Sequence, residues 1–164
     1  DRKALGVPSH MEAARGAYVI RDYDPARPKE GTLIVEGTAS TESIFKLLPR
    51  FLEGDAPNCK IVAAVSHELF VLQDKSYQDT VLHKTDWVDS TVISNGSKIG
   101  MHPWLSSKVA ETYAMTSDWD DRWRTGGSLG EIVEEAHLDP VNLLKGIQRF
   151  AADREKRLGA LNLH

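Results

Sequence analysis

Apolar residues along this chain fall into short blocks, and the spacing within the blocks changes from one part of the chain to another. Five strand-length runs of apolar or β-branched residues stand out, at positions 18–20, 32–35, 60–65, 90–94 and 113–116. Most are continuous rather than alternating, as expected of strands covered on both faces. Elsewhere the spacing becomes helical. Ile44, Leu48, Phe51 and Leu52 recur at three and four residues after a turn over 37–40, and Gly54 ends that element. Ser128 with Glu131 forms a capping-box pattern ahead of Leu129, Ile132, Val133 and Ala136. Asp139 and Pro140 supply an N-cap and a first-turn proline for a last helix. Val141, Leu144, Ile147, Phe150 and Ala151 are its expected core face, and Lys145, Arg149, Asp153 and Lys156 its solvent face.

These elements predict an α/β fold. Connections longer than a dozen residues between strands imply parallel pairing with helices on both faces of the sheet. The stretch 22–31 carries Pro25 and Pro28 and is too short for a helical crossover. The first strand is therefore expected to pair antiparallel at an edge or not at all. The result is a three-layer α/β/α domain with a five-stranded mixed sheet, four strands parallel. The connections 66–89 and 95–112 are irregular and yield no firm pattern.

A length of 164 residues with 41% apolar content suits one domain with one sizeable core. Residues 1–15, with Gly6, Pro8 and few apolar positions, read as a linker from upstream, and 16–164 as the domain. The chain opens at Asp1, with its first methionine at Met11, so it is expected to be a piece of a longer protein. A net charge of −4 makes no electrostatic case for nucleic acid or an anionic membrane as partner. No apolar run approaches the roughly 20 residues of a membrane span. A lone Cys59 excludes an internal disulfide and points to a reducing, cytoplasmic setting. Its place beside an apolar run marks it as a buried structural thiol.

Candidate chemistry is sparse. His67-Glu68 opens like a zinc-protease helix, but Val71 stands where the second histidine would be. The six histidines form no metal-binding spacing, so no metal site is expected. Asp118, Asp120 and Asp121 either hold a cation or simply pair with Arg122 and Arg124. Ser66-His67-Glu68 predicts no triad, because a triad is a matter of three-dimensional geometry, and no Gly-x-Ser-x-Gly elbow exists. The tryptophans at 87, 104, 119 and 123 lack the interleaved basic residues of a nucleic-acid platform and read as core or interface residues. One place has weak anion-binding character: Gly37-Thr38-Ala39-Ser40 joins a strand to a helix start. If its strand and the fifth run parallel, Thr38 and Ser40 emerge at the same sheet edge as Arg122 and Arg124, and an anion bridging the two loops becomes an expectation. No catalytic residue is assigned.

Read in order, several segments resemble the C-terminal domain of transketolases. They are Gly16-Ala17-Tyr18-Val19-Ile20, the run 32–38 with its helix, the run 60–65 leading into 66–72, Ser76-Tyr77-Gln78-Asp79-Thr80-Val81-Leu82, the run 90–96, the run 113–119, and Leu138-Asp139-Pro140 through Ile147. Each motif is loose, and the likeness lies in their order and spacing over about 150 residues. After the fifth strand the chain departs from the family's glycine-phenylalanine-glycine-alanine turn, reading Asp120-Asp121-Arg122-Trp123-Arg124-Thr125-Gly126-Gly127. That departure leaves open a 2-oxo acid dehydrogenase first component as parent.

The resemblance implies a non-catalytic, structural and dimer-supporting domain. The parent would transfer a two-carbon ketol unit between sugar phosphates or related substrates, using thiamine diphosphate and magnesium held by two upstream domains. The Gly-Asp-Gly diphosphate motif is absent here, Gly54-Asp55-Ala56 being the nearest approach. No cofactor is therefore expected on this chain. Its implied partners are the upstream pyrimidine- and diphosphate-binding domains and a second copy in a homodimer. The rival readings are a regulatory domain that binds a small anion or nucleotide at the strand ends, and a self-sufficient small enzyme of flavodoxin-like shape.

Overall fold

The computed structural model describes residues 3, 5–122, 124 and 126–162. Five strands form one sheet in the order β1-β3-β2-β4-β5: β1 (Ala17–Arg21), β2 (Thr32–Glu36), β3 (Lys60–Ala64), β4 (Ser90–Ser94) and β5 (Met115–Thr116). β1 pairs antiparallel with β3 at one edge, and the β2–β3, β2–β4 and β4–β5 pairs are all parallel. This is the mixed, edge-antiparallel sheet read from the sequence. The short link behind it is held by Asn58, which is fully buried. Its amide nitrogen donates to the carbonyls of Asp24, Arg27 and Pro28 at 2.9–3.1 Å, and its amide oxygen accepts from Asp24 N at 2.8 Å.

Side-chain alternation divides the core into two layers. Leu33, Val35, Ile61, Ala63 and Ile93 face one side, packed with residues of α1 (Thr38–Glu53), α6 (Leu129–Glu135) and α7 (Pro140–Ala152). Ile34, Val62, Ala64 and Val92 face the other, packed with α2 (His67–Val71), α3 (Lys75–Val81) and the 3-10 turn Lys98–Trp104. α4 (Lys84–Val88), α5 (Lys108–Thr112) and α8 (Arg154–Ala160) complete the helices. Gly16, at φ 86°, locks β1 to the start of α2. Its carbonyl accepts from Val65 N and Ser66 N at 2.8 and 2.9 Å, and a side chain there would collide with the backbone at Ser66 and Phe70.

Helix boundaries follow their caps. Ser128 and Glu131 form the capping box of α6, and the Asp139 carboxylate caps α7 with Pro140 in the first turn. Gly54, left-handed at φ 86°, closes α1. Several expectations are corrected. α1 begins at Thr38, so Thr38 and Ser40 sit inside its first turn rather than in a loop ahead of it. β5 covers only Met115–Thr116, because Tyr113 terminates α5 instead, its N–H bonding back to Ala110 O. Val141 is 63% exposed, and Leu143, absent from the predicted face, is fully buried in its place. Leu52 and Leu129 are likewise exposed, while Leu47 joins the α1 core face. α7 is not the last helix: the chain turns at Asp153 into α8, which inserts Arg157 beneath the sheet. Residues 10–15 form a 3-10 turn, and Val7 is buried against the core.

Candidate functional site

The site read from the sequence lies where β2, β4 and β5 end. At the β2–α1 junction Gly37 takes φ 88°, and a Cβ there would fall on the Asn95 side chain. Asn95, one residue beyond β4, thus lies against the start of α1, and its amide oxygen accepts from Ser40 N at 3.4 Å. A helix start leaves its first N–H groups unpartnered and attractive to anions. Here a neutral amide oxygen takes one of them. Ser40 is fully buried, and among the described residues its hydroxyl has no hydrogen-bond partner. Thr38 is exposed. It lines a cleft of about 380 Å³ with Tyr18, Gly37 and Val65, in which Glu36 is the one charged lining residue. Glu36 accepts a short hydrogen bond from the Ser94 hydroxyl.

Across β4, the loop after β5 is bound to itself and to the turn that follows β4. Asp118 accepts from the Thr116 hydroxyl at 2.7 Å and from Lys98 N at 2.9 Å. These bonds, against the desolvation that opposes them, hold its carboxyl below the usual range. Asp120 accepts from Arg124 Nη2 at 2.6 Å and from Arg122 Nε at 3.0 Å. Arg124 also donates to the Ser117 carbonyl at 2.8 Å and is almost covered, whereas Arg122 remains exposed. The structure therefore places Thr38 and Ser40 on the same edge as Arg122 and Arg124, with Asn95 and Gly96 of the β4 turn between them. Among the described residues no hydrogen bond or ion pair joins the two groups.

The remaining candidates have structural partners. The Ser66 hydroxyl accepts from Leu69 N as the cap of α2 and donates to Glu68 Oε2 at 2.9 Å, so it faces no histidine base. Cys59 is fully buried, and burial, followed by the nearby Glu30 charge, pushes its thiol up to about 12. Such a thiol is neither a nucleophile nor a metal ligand near neutral pH. Among the described residues there is no cluster of three or more His, Cys, Asp and Glu placed to hold a metal ion. Gly54 and Asp55 close α1, with Asp55 N bonding to Arg50 O at 2.9 Å, which leaves no diphosphate cradle there. Among the described residues, neither this turn nor any carboxylate cluster fits a magnesium–diphosphate group.

Sequence reading missed a belt of buried charge at the opposite, N-terminal ends of the strands. Lys60 Nζ lies 3.1 Å from Asp86 Oδ2, both buried. Tyr23 hydrogen-bonds Thr32 at 2.8 Å beneath them, and its hydroxyl pKa is raised, chiefly by burial. Asp89 is gripped by Arg154 and Arg157. Arg21 donates to the Cys59 carbonyl at 2.6 Å and to the Asn58 amide oxygen at 3.2 Å. The available signal was a charged residue opening or flanking an apolar run, as Lys60 and Asp89 do.

No family sequence model matches the chain, and no curated protein matches it by sequence. The fold, by contrast, has clear counterparts. Transketolase from Campylobacter jejuni superposes on 84% of this chain with a TM-score of 0.57 at 18% identity. Transketolase from Pichia stipitis in complex with sedoheptulose-7-phosphate covers 91% with a TM-score of 0.62 at 17% identity. Transketolase from Leishmania mexicana covers 90% with a TM-score of 0.58 at 16% identity. The fold is transketolase-like. The chain spans only about a fifth of each of those chains (19–20%), the size of one of their domains. Among the described residues, no helix is long and apolar enough to cross a membrane.

Proposed function

We propose that this chain is a non-catalytic C-terminal domain of a transketolase-like, thiamine-diphosphate-dependent enzyme, packing on upstream domains and supporting a homodimer in the cytoplasm. The observation that carries this reading is the coverage: nearly all of this chain matches about a fifth of a transketolase. The polar groups at the strand ends support it, because they are spent on capping and loop pairing rather than arranged around a reacting atom. Thiamine diphosphate and its magnesium would be held upstream, and the two-carbon ketol transfer would occur there.

The reading is tested by comparing this chain with a full-length polypeptide that contains it. Calorimetry with thiamine diphosphate and magnesium is expected to show no binding to the chain and stoichiometric binding to the full polypeptide. Deleting residues 16–164 from that polypeptide is expected to weaken its dimer in sedimentation. Stoichiometric micromolar binding by the isolated chain would reverse the assignment of roles.

A second reading rests on the shared sheet edge: an anion bridging Thr38 and Ser40 with Arg122 and Arg124. It requires Asp120 to release both guanidinium groups, so sulfate affinity should rise in Asp120→Ala and vanish in Asp120→Ala/Arg122→Ala/Arg124→Ala.

A further inference from the structure

On the sheet face opposite α1 and α7, the helices α2, α3 and α4 and the 3-10 turn Lys98–Trp104 enclose a cleft of about 350 Å³. That volume falls within the range of small-molecule sites. Its apolar wall is built from Phe70, Leu82, Trp87 and Trp104. The Trp104 indole is buried and fixed from two sides, 5.6 Å from the Phe70 ring and 5.1 Å from the His67 ring, which meets it edge-on. Trp87, 37% exposed, is held by its indole N–H donating to the Trp104 carbonyl at 3.1 Å. Fixed rings of this kind need no reordering to receive a flat partner, and stacking prefers offset or edge-on geometry of the sort already present.

The polar lining has one sign of charge. Lys75 and Lys84 are the charged residues that line the cleft, with Gln78 and His67 as its other polar members. Lys75 is shared with Asp79 at 2.8 Å. Lys84 makes no ion pair among the described residues. The Gln78 amide nitrogen is used on the carbonyls of Val71 and Gln73, at 3.2 and 2.8 Å, which ties α2 to α3. The cleft is braced against the sheet as well, since the Tyr77 hydroxyl donates to the Ala17 carbonyl at 2.9 Å. On a chain of net charge −4, the charged lining residues of this apolar cleft are two lysines, and with Lys75 paired to Asp79, Lys84 is the one without an ion pair among the described residues.

We infer that this cleft is a binding site for a small planar aromatic anion, the ring lying against Trp87 and Trp104 and the carboxylate or equivalent group meeting Lys84. The inference is independent of the transketolase-like reading, since it uses none of the groups at the strand ends.

The test uses 1-naphthoate as probe and the uncharged 1-naphthamide as its isostere, titrated into the chain while the indole N–H resonances of Trp87 and Trp104 are followed by NMR. Naphthoate is expected to shift both resonances saturably, with those of Trp119 unmoved, and naphthamide to bind about three- to fivefold more weakly, the scale of one exposed charge pair. Lys84→Gln, a change at an exposed position that leaves the core intact, is expected to erase that difference. The idea is overturned by an unsaturable or dispersed response to naphthoate, by equal binding of the two probes to the wild type, or by unchanged naphthoate affinity in Lys84→Gln.

Discussion

Arg157 offers the sharpest test of how the base of the sheet is held together. Its side chain is 3% exposed, yet it carries a full charge. Nη1 pairs with Asp89 Oδ1, Nε donates to the Phe150 carbonyl at 3.0 Å, and the guanidinium stacks 3.6 Å from the centre of the Phe150 ring. Replacing it with methionine keeps much of the volume and removes the charge. Asp89 then stays buried with Arg154 as its one remaining ion-pair partner among the described residues, and that side chain is 36% exposed. Breaking one half of a buried pair typically costs about 3–5 kcal/mol. The surviving Arg154 contact places Arg157→Met near the lower end, about 3 kcal/mol. With a urea slope of about 2 kcal/mol/M, the midpoint should fall by about 1.5 M. The cost arises from the stranded carboxylate, so removing that charge as well should recover part of it: Asp89→Asn/Arg157→Met should be about 1–2 kcal/mol less destabilised than the sum of the single changes. A loss below about 1 kcal/mol in Arg157→Met, or strict additivity in the double variant, would show that packing rather than ionic pairing holds α8.

Two further outcomes follow from positions already described. Phe150→Ala should cost about 3–5 kcal/mol, as truncation of a fully buried aromatic does, whereas Val141→Ser on the same helix should stay within about 0.5 kcal/mol; urea denaturation of both separates the true core face of α7 from its apparent one. The Asp74 carboxyl is held below its ordinary 3.8 by the Tyr77 N–H and the Ser76 hydroxyl. Its contribution to stability is therefore present above about pH 4 and lost as pH falls through the lowered folded value. Asp74→Asn should flatten the stability profile below about pH 4 and leave its slope at neutral pH unchanged.

How much was legible in the sequence depended on whether the deciding interaction was local. Caps, turns and strand runs depend on residues a few positions apart, so Ser128 with Glu131, Asp139 with Pro140, Gly54 and the first four strands could be read directly, and the fifth only in part. Chain length between strands guided their direction in the same way: ten residues with two prolines are too few for a helical crossover, and the longer links have room for one. The sheet and its layers followed from these.

What needed the tertiary structure was anything settled by a neighbour distant in sequence. Val141 satisfies the helical period, but α7 is turned so that Leu143 enters the core cluster in its place, and that rotation is set by packing against α1. Thr38 and Ser40 read as donors at a helix start until Asn95, 55 residues beyond Ser40, comes to lie against it. Arg157 follows the charged, exposed-looking pattern of a C-terminal helix and is buried because Asp89, 68 residues earlier, awaits it. The cleft at Trp87 and Trp104 arises because three short helices and a 3-10 turn, each without a readable period, close around one another. The sequence alone determined most of the strands, caps and turns, since those are local free-energy choices; the fold decided the strand order, the extent of β5, the turn into α8 and which polar groups were already satisfied, because only assembly brings their partners within reach.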